Sequence, residues 1–265
     1  MAIKCLLEGC SIRSTERLTG LNRNTIMELL VQAGKQCEKF MDATMRQLPC
    51  KRVECDELWG FLMKKQKNVR KDDPAEFGDQ WIYVALDADS KLIPSYYVGK
   101  RSSTNTQVFI RDLYSRLQNR IQLTTDAYIF YNKAVENSFG ADVDYAQLTK
   151  LFGDYGQYGN ERYSPSPIAE VISKVRQGHP DPKYISTSFV ERQNLTLRMQ
   201  IRRLTRLTNA FSRKLENLKA AIALHFAYYN MVRVHSSLRV TPAMEAGLTD
   251  HVWTLAELLG VQHAI

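Results

Sequence analysis

Apolar positions between residues 11 and 33 recur at helical spacing, with one interruption. Ser11–Leu18 reads as one amphipathic helix, and Thr19-Gly20-Leu21 breaks it. Asn22 is placed to cap a second helix over Arg23–Ala33, with Ile26, Leu29, Leu30 and Ala33 facing inward. A shorter helical run, Ile3–Glu8, precedes the pair, and residues 35–50 continue as helix or linker as far as Pro49. From Val53 the period changes. Val53–Met63, Trp81–Leu86 and Leu92–Val98 are rich in strand formers and separated by polar stretches. The charged run Lys64–Asp79 reads as an exposed loop and Asp87–Ser90 as a turn, so the three strands predict an antiparallel meander.

Beyond the meander, Thr104 with Gln107 three residues on suggests a capping box that opens a helix over about 105–119. Ile121–Asp126 reads as a short fourth strand, Tyr128–Ser138 as a helix stopping at Gly140, and Val143–Leu151 as a fifth strand. Gly153–Ser186 is rich in Gly, Tyr, Pro and Ser and reads as a long functional or mobile loop. Two helices follow, about 187–207 and 212–230, separated by Thr208-Asn209. A polar stretch, Tyr229–Leu238, leads to Thr241-Pro242, which opens a last short helix.

Composition narrows the class. With 265 residues and 44% hydrophobic content, the chain can bury a core and is expected to hold one large domain and a small one. A formal charge of +8 favours an anionic partner, of which nucleic acid is the commonest. No apolar run approaches 18 residues and the N-terminus lacks a signal peptide's apolar core, so a cytoplasmic protein with no membrane partner is expected. The five cysteines, Cys5, Cys10, Cys37, Cys50 and Cys55, include no C-x-x-C pair. That argues against a disulfide framework or zinc ribbon and leaves them as small buried apolar filler.

Three carboxylates stand out against this map. Asp56 lies inside the first strand, Asp126 ends the fourth, and Glu191 opens the helix after the long loop. An acid in a strand built for burial is costly unless paired, protonated or bound to a cation. Hard oxygen ligands without a His or Cys cluster suit Mg2+ or Mn2+, and two such ions serve phosphodiester cleavage. The order βββαβαβ followed by a helix, with acids at these points, predicts an α/β, RNase H-like core of the retroviral-integrase type: a mixed five-stranded sheet with flanking helices. Arg198 falls two turns after Glu191 on the same helical face. An acid heading a basic helix fits a site for metal and phosphate, and fits equally a solvated helix whose Glu compensates the N-terminal dipole.

Several further residues take expectations from the same map. Helix, Gly-containing turn and helix make a helix-turn-helix pattern, in which Arg23, Asn24 and Thr25 reach bases or phosphates; an ordinary helical bundle has the same pattern. Arg192, Arg202, Arg203 and Arg206 are candidates to hold backbone phosphates, and Asn194 to orient the Glu191 carboxylate or a metal-bound water. Glu57 is expected on the opposite face of its strand as a surface acid. Asp87 and Asp89 read as turn formers, Trp59 as core, and His235 as a capping or packing residue.

Cys55-Asp-Glu-Leu-Trp59, Thr124-Thr-Asp-Ala-Tyr128 and Val190-Glu-Arg-Gln-Asn-Leu-Thr-Leu-Arg198 together resemble the DDE transposases of the insertion sequence one family. The resemblance continues through Arg202-Arg203, Asn209-Ala-Phe-Ser212, Tyr229-Asn230, Arg233 and His235, and spans about residues 50–245. It implies that Asp56, Asp126 and Glu191 are the metal-binding catalytic acids and that Arg198 contacts donor-end phosphate. It further implies metal-dependent DNA cleavage at element ends and strand transfer into target DNA, with double-stranded DNA as partner and a homodimer or higher oligomer at synapsis. The expected division is a helix-turn-helix module over 1–48, a catalytic domain over 49–240 with an insertion at 153–186, and a helical tail over 241–265. In that division the insertion is a DNA-facing flap. Two departures are that the family's zinc ribbon has no counterpart, which suggests a shortened or domesticated copy, and that 64 residues separate Asp126 from Glu191. The alternatives are an inactivated transposase kept as a DNA-binding protein and a structure-specific nuclease of the same fold. The three intact acids disfavour the first, and the helix-turn-helix with the Arg198 spacing disfavours the second.

Overall fold

Capping residues decide where the N-terminal helices start. The structure, a computed structural model, describes residues 1–153, 167–206 and 208–261. It opens with α1 (Ala2–Leu7), α2 (Ile12–Thr19) and α3 (Arg23–Thr44). Ser11 caps α2 through its side chain, Gly20 ends it in the left-handed conformation, and Asn22 caps α3. This pair of helices around a Gly-containing turn therefore begins where the sequence pattern places it. Its second helix, however, runs on to Thr44, because Cys37 and Met41 extend the buried face beyond Ala33.

The sheet comprises β1 (Arg52–Leu62), β2 (Gly78–Asp87), β3 (Ser95–Gly99), β4 (Ile121–Asp126), β5 (Val143–Phe152) and β6 (Ile168–Gln177), in the order β3-β2-β1-β4-β5-β6. β1, β2 and β3 form an antiparallel meander, β4 lies parallel to β1 and β5 parallel to β4, and β6 returns antiparallel to β5. A three-strand meander extended by two parallel strands from its first member is the RNase H-like topology. The sheet has six strands rather than the five expected. The sixth comes from the stretch read as a loop, where Ile168, Val171, Ile172 and Val175 lie among Pro- and Gly-rich neighbours. Residues 154–166 of the expected flap lie outside the described residues.

Helices cover both faces. Tyr83 of β2 packs its ring against Phe109 of α4 (Ser103–Arg116), with centroids 5.5 Å apart. Tyr96, paired in register with Val84 and so on the opposite face, meets Phe226 of α7 (Leu215–Met231) at 4.9 Å. α5 (Phe130–Phe139) packs beside α4, and α3 crosses α7 on the other side. At that crossing a Cβ on Gly34 would come within 2.4 Å of the Ala220 Cα, so only glycine permits the approach. Residues of α3 and α7 belong to the same apolar core as the sheet.

Further helix limits differ from the sequence pattern. Ser102, not Thr104, caps α4, and Gln107 reaches Ser138 on α5 at 2.9 Å instead of closing a capping box. α6 (Ser188–Gln200) ends well before 207, because Ile201 turns out of the helix into extended backbone and is buried. Arg202–Leu204 form a separate 3-10 turn, and the chain re-enters a helix only at Leu215. Short helices α8 (Pro242–Glu245) and α9 (Leu255–Leu258) close the described chain, and no helix among the described residues is long and apolar enough to cross a membrane.

Candidate metal centre

Asp56 and Asp126 meet because β1 and β4 are parallel neighbours. Cys55 pairs with Thr125, so the next residue of each strand lies beside the other at the point where β4 ends. Ligand oxygens of Asp56, Glu57 and Asp126 fall within 4.8 Å of one another. Burial and the adjacent Asp126 and Glu191 charges push the Asp56 carboxyl up to about 6. Asp126 is raised too, chiefly by burial, and its Oδ1 accepts the Tyr128 backbone N–H at 3.0 Å.

Glu57 is not a surface acid. Its strand position does point away from Asp56, as alternation requires, but that face is covered by α4 and α5. The side chain is 1% exposed, and Oε2 accepts from Arg101 at 3.0 Å while Oε1 has no hydrogen-bond partner. Burial, with Asp126 next, raises it to about 8. Arg101 also reaches Asp126 at 3.5 Å and stacks over Tyr128, 3.8 Å from the ring centroid.

A row of polar clamps lays α6 along β1. Glu54 on β1, buried, accepts the backbone N–H groups of Phe189 and Val190 at 2.8 and 3.0 Å, satisfying the helix start where Thr187 supplies no cap. One turn on, Asn194 donates from Nδ2 to Asp56 Oδ2 at 2.8 Å. Another turn on, the Arg198 guanidinium spans the carbonyls of Trp59 (3.1 Å) and Leu204 (3.2 Å). Glu191 lies between the first two clamps. Its Oε1 is held by Lys150 of β5 and by the Thr187 hydroxyl at 2.7 Å, on the Asp56 side of the sheet but outside the tight acid cluster.

Of the residues expected to act here, Asp56, Asp126 and Asn194 are thus brought together, with Glu191 on the same side of the sheet but outside the cluster. Asn194 orients Asp56 rather than Glu191. Arg198 faces backbone carbonyls, and burial lowers its guanidinium to about 10. Arg192 is exposed on α6. Arg202 and Arg203 line a cleft of about 1000 Å3 with Asn24 of α3, together with Arg13, Arg213 and Lys214. Arg203 also donates to the Ser212 hydroxyl at 3.1 Å. Arg206, Arg23 and Thr25 are exposed; the Arg23 backbone N–H is taken by Glu16 at 3.0 Å. Asp87 accepts from the Ser90 backbone and hydroxyl, as a turn former does, and His235 packs edge-on to Tyr229.

Glu54 and Glu57 are functional candidates that the sequence pattern did not single out. The signal for Glu54 is period two: it shares the Asp56 face, and its burial there calls for a donor. For Glu57 the signal is that a sheet with helices threaded between parallel strands is covered on both sides.

No family profile matches the chain, and no curated protein matches its sequence. Among solved structures it is similar to a chain of the simian T-cell lymphotropic virus intasome in complex with the PP2A regulatory subunit B56 gamma. The identity there is 13%, over 96% of this chain and 77% of that one, at a TM-score of 0.43. It is also similar to the Mos1 strand transfer complex, at 15% identity over 54% of this chain and 56% of that one, TM-score 0.26. A third similarity is to the piggyBac transposase synaptic complex with hairpin DNA, at 12% over 80% and 51%, TM-score 0.33. The chain thus spans about half the length of the Mos1 and piggyBac chains it matches. The fold rests on its strand order and directions.

Proposed function

We propose that this chain is a DDE-type DNA strand transferase of the insertion sequence one kind, cutting DNA at element ends and joining them to target DNA. The observation that carries this reading is the meeting of Asp56 and Asp126 at adjacent parallel strand ends, with α6 laid across β1 to bring Glu191 to the same side. The donors fit a hard divalent cation: they are carboxylates only, and burial together with the neighbouring acids raises Asp56 and Asp126. Asp56, Asp126 and Glu191 would hold Mg2+ or Mn2+, which in such enzymes activates a hydroxyl nucleophile and stabilises the leaving oxygen.

The chain's own residues supply the rest. Asn194 holds Asp56 through its Oδ2, and Arg101 offsets the acids' charge while stacked on Tyr128. Glu191 joins the other two acids on giving up Lys150. In this reading residues 1–48 are the DNA-binding module, 49–240 the catalytic domain, and Arg202 with the other cationic side chains of the 1000 Å3 cleft neutralises phosphates.

The test is incubation of the full chain with Mn2+ and labelled oligonucleotides carrying the inverted repeats that flank its gene. Nicked and joined products are expected from wild type, and about a thousandfold less from Asp126→Asn, since several kcal/mol of charge stabilisation is lost. Equal products from both, or bound DNA without product, overturns the catalytic reading and leaves a DNA-binding protein.

A further inference from the structure

β6 is the outermost strand of the sheet, and its residues are exposed from Ile168 to Arg176. Ile168, Val171, Ile172 and Val175 are each about half exposed, and Leu151 and Phe152 at the end of β5 continue the apolar surface. β5 takes one edge of β6; the other is open among the described residues. A long apolar edge strand is a ready template for another chain, and natural edges are usually blunted by proline, a bulge or shortness. Between Glu170 and Val175 there is no proline and the ladder with β5 is unbroken, its register shifts falling just outside at either end of the 10-residue strand; the charges there, Glu170 and Lys174, blunt the edge unless a partner opposes them.

We propose that β6 pairs antiparallel with β6 of a second copy of this chain about a two-fold axis at Ile172, joining six strands from each copy into one sheet. The charge pattern selects this register. Ile172 then opposes its own copy, Glu170 opposes Lys174 on both sides of it, Ala169 opposes Val175 and Val171 opposes Ser173. Each opposed pair lies on one face, because the positions differ by an even number. Sliding the pairing to centre on Val171 sets Glu170 against Ile172 and Ile168 against Lys174, with no ion pair. Centring it on Ser173 sets Ile172 against Lys174 and spends Glu170 on Arg176, which already donates to Gln147 at 2.8 Å. Neither Glu170 nor Lys174 forms an ion pair among the described residues. The contact bears on the candidate centre: Val171 is in register with Lys150, the residue that holds Glu191. The proposal itself does not depend on the DNA chemistry above.

The test is sedimentation velocity of the full chain across micromolar concentrations, with circular dichroism to check folding. A dimer is expected for wild type. Glu170→Lys and Lys174→Glu each set like charges opposite one another and are expected to weaken it by about tenfold or more. The combined variant exchanges the charges symmetrically, so its dimer is expected to recover. A wild-type monomer throughout, single variants that dimerise like wild type, a combined variant that stays weak, or open-ended polymers each overturn the proposal.

Discussion

Glu57 is held between β1 and the α4–α5 layer with a carboxyl raised from 4.5 to about 8, first by burial and next by Asp126. Its folded form therefore keeps a proton that the unfolded chain releases above about 4.5. Stability is greatest below that range and is lost as pH rises towards about 8. Asp56, raised from 3.8 to about 6, adds a loss of the same sign at lower pH. In chelator-treated protein, the unfolding free energy from urea titrations is expected to fall between pH 5 and pH 8 by an amount on the order of a few kcal/mol, and the midpoint with it. Glu57→Gln is expected to flatten the upper part of that fall; superimposable profiles for the two proteins count against the buried acid. Asp56 and Asp126 were legible as candidates because acids in strand patterns are conspicuous. Glu54 was not, since its partners, the N–H groups of Phe189 and Val190, lie 135 and 136 residues away.

Among the elements, the α3–α7 crossing depends on Gly34. Alanine is favoured over glycine inside a helix by about 1 kcal/mol. At Gly34 the added Cβ would meet Ala220 backbone at 2.4 Å, and backbone cannot rotate away. Gly34→Ala is therefore expected to destabilise by about 1–2 kcal/mol net, read as a lower urea midpoint with unchanged slope. A gain in stability shows that the helices separate freely. Periodicity gave α3 its inward face, but not its partner. The early stop of α6 was equally hidden: Leu197, Ile201 and Leu204 suit a continuing helix, and burial of Ile201 in extended backbone decides otherwise.

For the whole molecule, the charge of +8 acts through its distribution. Arg13, Arg202, Arg203, Arg213 and Lys214 line one cleft although they come from two separate parts of the chain. DNA binding is expected to weaken steeply with salt, and Arg202→Ala to reduce the slope of log K against log salt by about 1. Fluorescence anisotropy between low and moderate salt measures this; an unchanged slope places the phosphates elsewhere.

By itself the sequence determined the local structure and the order of elements. Caps at Ser11 and Asn22, the strand period from Val53 and the breaks at Gly20 and Gly140 are nearest-neighbour effects, so the α2–α3 pair and the strands of the meander follow from them. Tertiary structure alone decided what those elements bring together. Strand β6 exists because β5 offers it a ladder, and Glu57 is buried because helices cover its face. Glu191 faces Lys150 because three clamps lay α6 along β1. Each of these depends on hydrogen-bond or charge partners far apart in the chain, and residue spacing carries no record of such partners.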